Sequence, residues 1–331
     1  MKRPDITELL LAWYREGHRD LPWRRTADPY RIWVSEIMLQ QTRVQAALPY
    51  YQRFLESFPT VEALAAAREP AVLAAWSGLG YYSRARNLRR AAQAVVAANG
   101  FPREYAAIRA LPGIGDYTAA AIASIAFGLP HAVLDGNVLR VVARVENDPA
   151  DIGATGTRQR FRAVAEEWLD RRDPGTFNQA LMELGATVCL PKNPLCLLCP
   201  VSSQCQAFAE GTVDQLPVKL RRVVPVQVES VLLVARQHGK ILLRQREPAA
   251  RRMAGFWELP TPEQLPGARV GRRLGEFRHT ITHHHYRFAV TAASASASRK
   301  PFRWFAPADL TKIPLSTTAR KALEIAGVAV R

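Results

Sequence analysis

Residues 111–122 of the chain, LPGIGDYTAAAI, form a short turn between two helix-forming segments. Gly113 and Gly115 flank one apolar residue there, and glycine lets a backbone turn tightly at little steric cost. The first N–H groups of the helix that follows are unpaired, so they attract an anion such as a phosphate. An ordinary connection between two helices is the alternative interpretation. In both cases the stretch predicts a helical hairpin.

The segments on both sides of this turn predict an all-α domain over residues 1–210, where apolar residues recur at intervals of three and four. The longest segment, residues 30–58, is expected to be one helix. Residues 211–225 are rich in proline and basic side chains and predict a linker. Residues 226–331 contain short runs typical of β-strands and one helical segment, and predict an α+β domain.

Composition and charge limit the class of protein. The net charge is +16, and an excess of 11 positive charges lies in residues 226–331, which suits a polyanion such as nucleic acid. No apolar run approaches the roughly 18 to 20 residues of a membrane-spanning helix, and the N-terminus is too polar for a secretion signal. We therefore expect a monomeric, cytoplasmic protein without a membrane partner, in a compartment where disulfides are rare.

All four cysteines lie in CLPKNPLCLLCPVSSQC, residues 189–205, with the spacing C-x6-C-x2-C-x5-C. Zinc sites usually combine two C-x2-C pairs, whereas only Cys196 and Cys199 form such a pair here. One compact loop with four thiolates favours a [4Fe-4S] cluster over zinc or over unligated core cysteines. The expected ligands are Cys189, Cys196, Cys199 and Cys205. If all four bind iron, none is left as a nucleophile, and the loop is a structural clasp in which Lys192 is available to contact a phosphate.

Two carboxylates differ in their expected surroundings. Asp135 comes directly before a helical segment, where backbone N–H groups and the helix dipole favour the anion. Glu36 shares one helical stripe with Ile32 and Gln40, and a carboxyl that loses hydration there has a raised pKa and stays protonated. Simple capping and a partly exposed helix position are the alternatives. Together an acid and a stabilising anion suit cleavage of a glycosidic bond through a cation-like transition state.

The chain resembles a known family along nearly its whole length. The matching segments, in the family's order, are LPWRRTADPYRIWVSEIMLQQT, WSGLGYYSRARNL, LPGIGDYTAAAI, LDGNVLRV, FNQALMELGA and the cysteine loop. They resemble the MutY-type adenine DNA glycosylases of the endonuclease III, or helix-hairpin-helix, superfamily. The resemblance implies an all-α glycosylase domain with an iron–sulfur loop, a phosphate-binding hairpin, and Glu36 and Asp135 as catalytic residues supported by Tyr117 and Asn137. Plain packing or capping is the alternative for Tyr117 and Asn137.

Position 117 distinguishes the branches of this superfamily. In the endonuclease III branch a lysine there forms a Schiff base and cuts the strand, whereas this chain has Tyr117. The resemblance therefore implies a monofunctional glycosylase of base excision repair that hydrolyses the bond to adenine mispaired with 8-oxoguanine or guanine and leaves an abasic site. The alternatives are a bifunctional glycosylase/lyase for oxidised pyrimidines and a non-catalytic DNA-binding or iron–sulfur sensor protein on the same scaffold.

The same resemblance implies further contacts with double-stranded DNA. A base in a duplex must be flipped out and the gap filled, and the residues expected to enter the duplex are Gln41 and Tyr81, the latter favoured over Tyr82. Positions that match the lining of the adenine pocket are Trp23, Arg24 and Gln179. Ordinary core or surface roles are the alternative for these three residues.

The C-terminal part resembles the Nudix-related domain of MutY proteins, which recognises 8-oxoguanine opposite the adenine. Residues 261–275 lack the glutamate-rich metal-binding pattern of working Nudix hydrolases, so we expect binding without hydrolysis. Where the family's recognition loop carries Phe-Ser-His, this chain has Ile281, Thr282 and His283. Threonine keeps the hydroxyl, but isoleucine cannot stack as phenylalanine does. A weak metal site in the run of three histidines is the alternative, although alternation along a strand would separate them.

Overall fold

The computed structural model describes residues 5–220, 224–247, 250, 253–296 and 299–330. The chain divides into two compact units, Met1–Gln41 with Ala94–Arg222, and Thr42–Gln93 with Val223–Arg331. Each unit is therefore assembled from two separate stretches of the chain, and the second combines helices from the N-terminal half with the C-terminal sheet.

Thirteen α-helices occur in the described ranges. They are α1 (Ile6–Glu16), α2 (Pro29–Leu39), α3 (Val44–Ser57), α4 (Val61–Ala66), α5 (Glu69–Ala75), α6 (Ser83–Ala97), α7 (Tyr105–Arg109), α8 (Asp116–Phe127), α9 (Gly136–Val145), α10 (Thr155–Trp168), α11 (Pro174–Thr187), α12 (Gln206–Ala209) and α13 (Thr317–Ile325). Local sequence accounts for several of their ends. For example, the side chain of Asp28 caps α2 with proline at the next position, and Gly128 ends α8 in the left-handed region. No helix in the part of the chain that the structure covers has the length and apolar character needed to cross a membrane.

Helices α8 and α9 form the centre of the first unit, because almost every side chain of α9 is buried and so is most of α8. Helix α8 packs against α2 and α11, and α11 also packs against α9 and α1. The apolar core includes Leu10, Val142, Phe161, Phe177 and Leu184. This packing brings α2, the start of α8, the start of α9 and α11 into one neighbourhood.

The single helix predicted for residues 30–58 is wrong, because the segment forms two helices, α2 and α3. Gln40 leaves the helical region with ψ at 110°, and Gln41 adopts a left-handed conformation with φ at 58°. The sequence has neither glycine nor proline at this break, so its helical periodicity continues across it. The break leaves Gln41 exposed in the turn.

The second unit contains a mixed sheet. Its strands are β1 (Val226–Gln237), β2 (Lys240–Gln245), β3 (Trp257–Glu258), β4 (Arg269–Ile281), β5 (His284–Ser294) and β6 (Phe302–Phe305). The order is β3-β2-β1-β5-β4, with β6 paired to β2. Strand β1 runs parallel to β5, and the other pairs are antiparallel. Helix α13 packs against this sheet, and β4 and β5 form a hairpin whose tip carries Thr282.

Candidate active site

Glu36 lies on α2 in the first unit, and only 5% of its surface is exposed. The phenolic O–H of Tyr117, in the first turn of α8, donates a hydrogen bond of 2.6 Å to Oε2 of Glu36. Burial raises the pKa of Glu36 to about 7, the hydrogen bond from Tyr117 works against that rise, and the charge of Asp135 adds to it. Because Oε2 accepts from Tyr117, a proton held by Glu36 is expected on Oε1.

Asp135 caps the N-terminus of α9, as its position in the sequence predicted. Its Oδ1 accepts from the backbone N–H of Val138 at 2.7 Å, and Oδ2 accepts from the side-chain amide of Asn137 at 3.1 Å. Burial raises the pKa of Asp135, while the backbone hydrogen bonds and the charge of Arg140 lower it. These donors support a carboxylate in a poorly hydrated place, which suits an anion that faces a developing positive charge.

The support for Asp135 extends to the cysteine loop. Arg140 donates to the amide oxygen of Asn137 at 2.9 Å and to the backbone carbonyls of Gly185 at 2.7 Å and Cys189 at 2.8 Å. Asn137 is thus fixed from both sides, since its amide nitrogen donates to Asp135 while its oxygen accepts from Arg140. One guanidinium group connects the carboxylate, helix α11 and the first cysteine.

Glu183 on α11 is a site residue that the sequence did not reveal. Only 2% of its surface is exposed, and its carboxylate is bound by Arg19 and Arg24 at 2.6 to 2.8 Å. Burial alone would raise the pKa of Glu183, but the hydrogen bonds from both arginines outweigh it and lower the pKa to about 2. The charge of Arg24 in turn lowers the pKa of Glu36. The pairing of Arg19 with Glu183 spans 164 positions, which no local pattern shows.

The three predicted pocket residues lie in the same unit. Trp23 is buried in a single turn of 3-10 helix, Pro22–Arg24. The guanidinium of Arg24 lies over the ring of Tyr14 at 5.4 Å, and the Tyr14 hydroxyl donates to Oε1 of Gln179 at 3.5 Å. Tyr14 therefore links Arg24 to Gln179. Contact of these residues with adenine stays a prediction.

The hairpin between α7 and α8 has the predicted geometry. Gly113 has φ at 79°, a conformation that favours glycine, and Gly115 is the N-cap of α8. Ile114 between them is buried, and Arg109 donates to its carbonyl oxygen at 3.1 Å. The turn is thus held from inside by an apolar side chain, which leaves the two glycines on the surface side.

The residues predicted to enter the DNA, Gln41 and Tyr81, and Thr282 of the predicted recognition loop have an unusual backbone. Gln41, Tyr81 and Thr282 all have positive φ, at 58°, 45° and 56°. Such a conformation costs about 1 kcal/mol or more in a residue other than glycine and often marks functional turns. Tyr81 is 44% exposed, whereas Tyr82 is buried with its ring 4.0 Å from that of Phe256. Both tyrosines belong to the second unit.

At the tip of the β4–β5 hairpin, the Thr282 hydroxyl donates to the carbonyl of Ile281 at 2.6 Å. The rings of His283 and His284 are 4.2 Å apart. Within the described residues no group of three or more His, Cys, Asp or Glu side chains is arranged to hold a metal ion.

The four cysteines line one cavity, together with Arg144, Val141 and Leu184. Arg144 is buried, and its Nη1 lies 3.3 Å from the sulfur of Cys189. Its Nη2 is also buried and has no hydrogen-bond partner among the described residues. The four cysteines are not arranged around a single metal ion, but the cavity that they line, beside a guanidinium with an unpaired N–H group, suits a larger anionic cluster.

Comparisons with known proteins agree with this architecture. Residues 34–167 match the HhH-GPD superfamily base excision DNA repair protein family, and residues 230–325 match the NUDIX domain family. The chain is 35% identical to an adenine DNA glycosylase of Homo sapiens, over 96% of this chain and 73% of that protein. It is 36% identical to an adenine DNA glycosylase of Mus musculus, over 96% of this chain and 76% of that protein.

A solved structure, that of a thermostable thymine-DNA glycosylase, matches with a TM-score of 0.55 and 28% identity, over 62% of this chain and 95% of that chain. These similarities confirm the predicted fold class, a helical domain with a helix-hairpin-helix followed by an α+β domain with a mixed sheet.

Proposed function

This chain belongs to the adenine DNA glycosylases of the helix-hairpin-helix superfamily, and from that premise we propose that it hydrolyses the N-glycosidic bond of adenine mispaired with 8-oxoguanine or guanine. Its general role is base excision repair of DNA. The observation that carries the proposal is the buried Glu36, which accepts a hydrogen bond from Tyr117 and whose pKa is raised by burial and by the charge of Asp135.

Glu36 acts as the general acid. Its proton passes from Oε1 to a ring nitrogen of adenine, most simply N7, as the bond from the sugar to the base breaks and the electron pair leaves with the base. Water then adds to the sugar cation and gives one proton to the Glu36 carboxylate, which restores the acid. The products are free adenine and an abasic site.

Asp135 stabilises the cationic sugar. The Val138 N–H group and the Asn137 amide hold its carboxylate in place, so little reorganisation is needed as positive charge develops. We propose no strand cleavage, because Tyr117 occupies the position at which the endonuclease III branch has a lysine. The Tyr117 hydroxyl is hydrogen-bonded to Glu36. In residues 1–210 the only lysines are Lys2 and Lys192, and neither lies in the hairpin.

The four cysteines would hold a [4Fe-4S] cluster in the cavity that they line. The bound cluster would cross-link the loop and supply no electron to the reaction, since base hydrolysis is not a redox process. Arg144 would donate to the thiolate of Cys189 and partly compensate the negative charge of the four sulfur atoms.

Recognition of the opposite base is assigned to the second unit, at the hairpin tip with Thr282 and His283. The basic character of residues 226–331 supports binding to the DNA backbone. Tyr81 would enter the duplex where the adenine is flipped out, and Gln41 would likewise enter the duplex. The exposure of Tyr81 and the strained backbone of both residues support this assignment.

The direct test measures adenine release by purified protein from duplexes with 8-oxoguanine, guanine, cytosine or thymine opposite the adenine. We expect release opposite 8-oxoguanine and guanine, and strand breaks only after treatment with alkali. Absence of free adenine from every duplex would disprove the proposal. Strand breaks without alkali, together with a protein–DNA adduct trapped by borohydride, would support the lyase alternative instead.

A further inference from the structure

Three charged groups, among them the predicted pocket residue Arg24, take no part in the mechanism above. Glu183 lies on α11, Arg19 follows α1, and Arg24 ends the short helix Pro22–Arg24. Arg24 is almost fully buried, with 8% of its side chain exposed, whereas Arg19 is 39% exposed. One carboxylate therefore holds two guanidinium groups, and the cluster keeps one positive charge.

Every acceptor position of Glu183 is occupied by these arginines. Oε1 accepts from the backbone N–H of Arg19 at 3.1 Å and from its Nε at 2.8 Å. Oε2 accepts from Nη2 of Arg19 at 2.6 Å and from Nη2 of Arg24 at 2.7 Å. Such forked, charge-assisted hydrogen bonds fix the guanidinium planes as well as their positions.

The fixed arginines in turn orient neighbouring groups. Arg24 donates to the carbonyl of Arg19 at 3.0 Å and covers the ring of Tyr14, whose hydroxyl donates to Gln179. Glu183 is thus the shared anchor of Arg19, Arg24 and, through Tyr14, Gln179. Loss of its charge would leave the buried Arg24 without its counter-charge, a costly arrangement in a protein interior, and the charge of Arg24 acts on Glu36.

We propose that Glu183 is a positioning residue that fixes Arg19 and Arg24 and offsets their charge, and that it thereby supports Glu36 as the acid. The inference rests on the proposed function, because it assumes that Glu36 is the acid. Glu183 would contact neither the substrate nor Glu36 and would act through the two arginines.

The test replaces Glu183 by Gln, which keeps the shape and removes the charge. Adenine release is measured under single-turnover conditions from about pH 5.5 to about pH 9. In the wild-type enzyme, release should decline as the pH rises through the pKa of Glu36. In Glu183→Gln, the extra positive charge should shift this decline to lower pH by about one unit, so release falls roughly tenfold near pH 8 and much less near pH 5.5.

Two further variants separate charge from structure. Arg19→Gln combined with Glu183→Gln restores the net charge of the cluster. The alkaline decline of adenine release in this double variant should therefore return toward the wild-type pH. Arg19→Gln alone removes one positive charge and should move the decline to higher pH; it also provides the test if Glu183→Gln does not fold. Asp20→Asn is the matched control, since Asp20 pairs with Arg25 in the same segment and both side chains are mostly exposed. Its pH profile should equal that of the wild type.

The outcomes distinguish the two proposals. If the wild-type protein releases no adenine, the proposed function fails. If it releases adenine with a clear decline at alkaline pH, but Glu183→Gln loses activity equally at every pH, Glu183 is only structural and the inference is overturned. An unshifted decline in Arg19→Gln would overturn it equally.

Discussion

Two buried glutamates in the same unit show how neighbours decide the chemistry of one residue type. The pKa of Glu36 is raised to about 7 and that of Glu183 is lowered to about 2, although burial acts to raise both. Glu36 accepts from a neutral hydroxyl, whereas Glu183 accepts from two guanidinium groups. One is suited to give up a proton near neutral pH, and the other stays ionised.

Replacing Glu36 by Gln should abolish adenine release and leave mismatch binding largely intact. The same variant should be more stable than the wild type at high pH. Because the pKa of Glu36 is raised on folding to about 7, its contribution to stability is fully present below about pH 4.5 and is lost as the pH rises through 7. Glutamine does not ionise and so avoids this loss. Relative to the wild type, the free energy of unfolding of the variant should be higher by up to roughly 3 kcal/mol near pH 8 and little changed near pH 4.5.

Denaturant unfolding of both proteins at the two pH values measures this gain, and gel-shift titration measures mismatch binding. Glu36→Gln with full activity would remove Glu36 from the mechanism. An equal stability difference at both pH values would show that its ionisation is not coupled to folding.

Replacing Tyr117 by Phe removes the hydroxyl that donates to Glu36. Because that hydrogen bond lowers the pKa of Glu36, the pKa should rise further, and the alkaline decline of adenine release should move to higher pH. Release at the optimum should fall by roughly tenfold, since the acid loses the contact that orients it. Single-turnover rates across the pH range measure both effects, and a decline at the wild-type pH would contradict the assigned contact.

At the scale of whole elements, much of the fold was predictable from local signals. The helical hairpin follows from its two glycines, and the cap of α9 follows from Asp135. The break between α2 and α3 was not predictable, because the turn at Gln41 has no glycine or proline. The pairing of Glu183 with Arg19 and Arg24 was hidden for another reason: it depends on packing between segments far apart in sequence.

Replacing Gly185 by Ala should disturb the contact between α11 and α9. An added Cβ would lie 2.6 Å from the Cβ of Asn137, and the Gly185 carbonyl accepts from Arg140. The displaced Asn137 would hold Asp135 less well. We expect a loss of about 1 to 3 kcal/mol in stability and slower adenine release at every pH.

Gly156→Ala on α10 is the matched control, because nothing lies within 4 Å of an added Cβ there. It should be neutral or stabilising by up to about 1 kcal/mol, since alanine favours helices. Thermal unfolding and single-turnover release measure both variants. If Gly185→Ala behaves like the control, the close packing against Asn137 has no role in positioning Asp135.

At the scale of the whole molecule, we propose different tasks for the cysteine loop and for the carboxyl groups of Glu36 and Asp135. Cys199→Ser should lower the iron content and lower stability or DNA affinity, because one of the four proposed sulfur ligands that line the cavity is gone. Iron content, thermal unfolding and DNA binding measure these effects. Normal iron content and binding with abolished base release would instead place Cys199 in the chemistry.

Discrimination between 8-oxoguanine and guanine should depend on the hydroxyl of Thr282 in the second unit. That hydroxyl donates to the carbonyl of Ile281, and its oxygen, which also lies 3.5 Å from Nδ1 of His283, has two lone pairs and can still accept a hydrogen bond from the base. 8-Oxoguanine presents an N–H donor at N7, where guanine has only an acceptor. Thr282→Ala should therefore lower the ratio of release opposite 8-oxoguanine to release opposite guanine by roughly fivefold to tenfold, the worth of one hydrogen bond.

Thr282→Ser is the matched control, because it keeps the hydroxyl and should keep the ratio. The two ratios are best compared at low and at physiological salt. Contacts of the basic residues with the DNA backbone weaken as salt rises and carry no information about the base, so salt should lower the binding of all three proteins alike. The discrimination lost in Thr282→Ala should persist at both salt concentrations. An unchanged ratio in Thr282→Ala would assign recognition of the opposite base to another part of the chain.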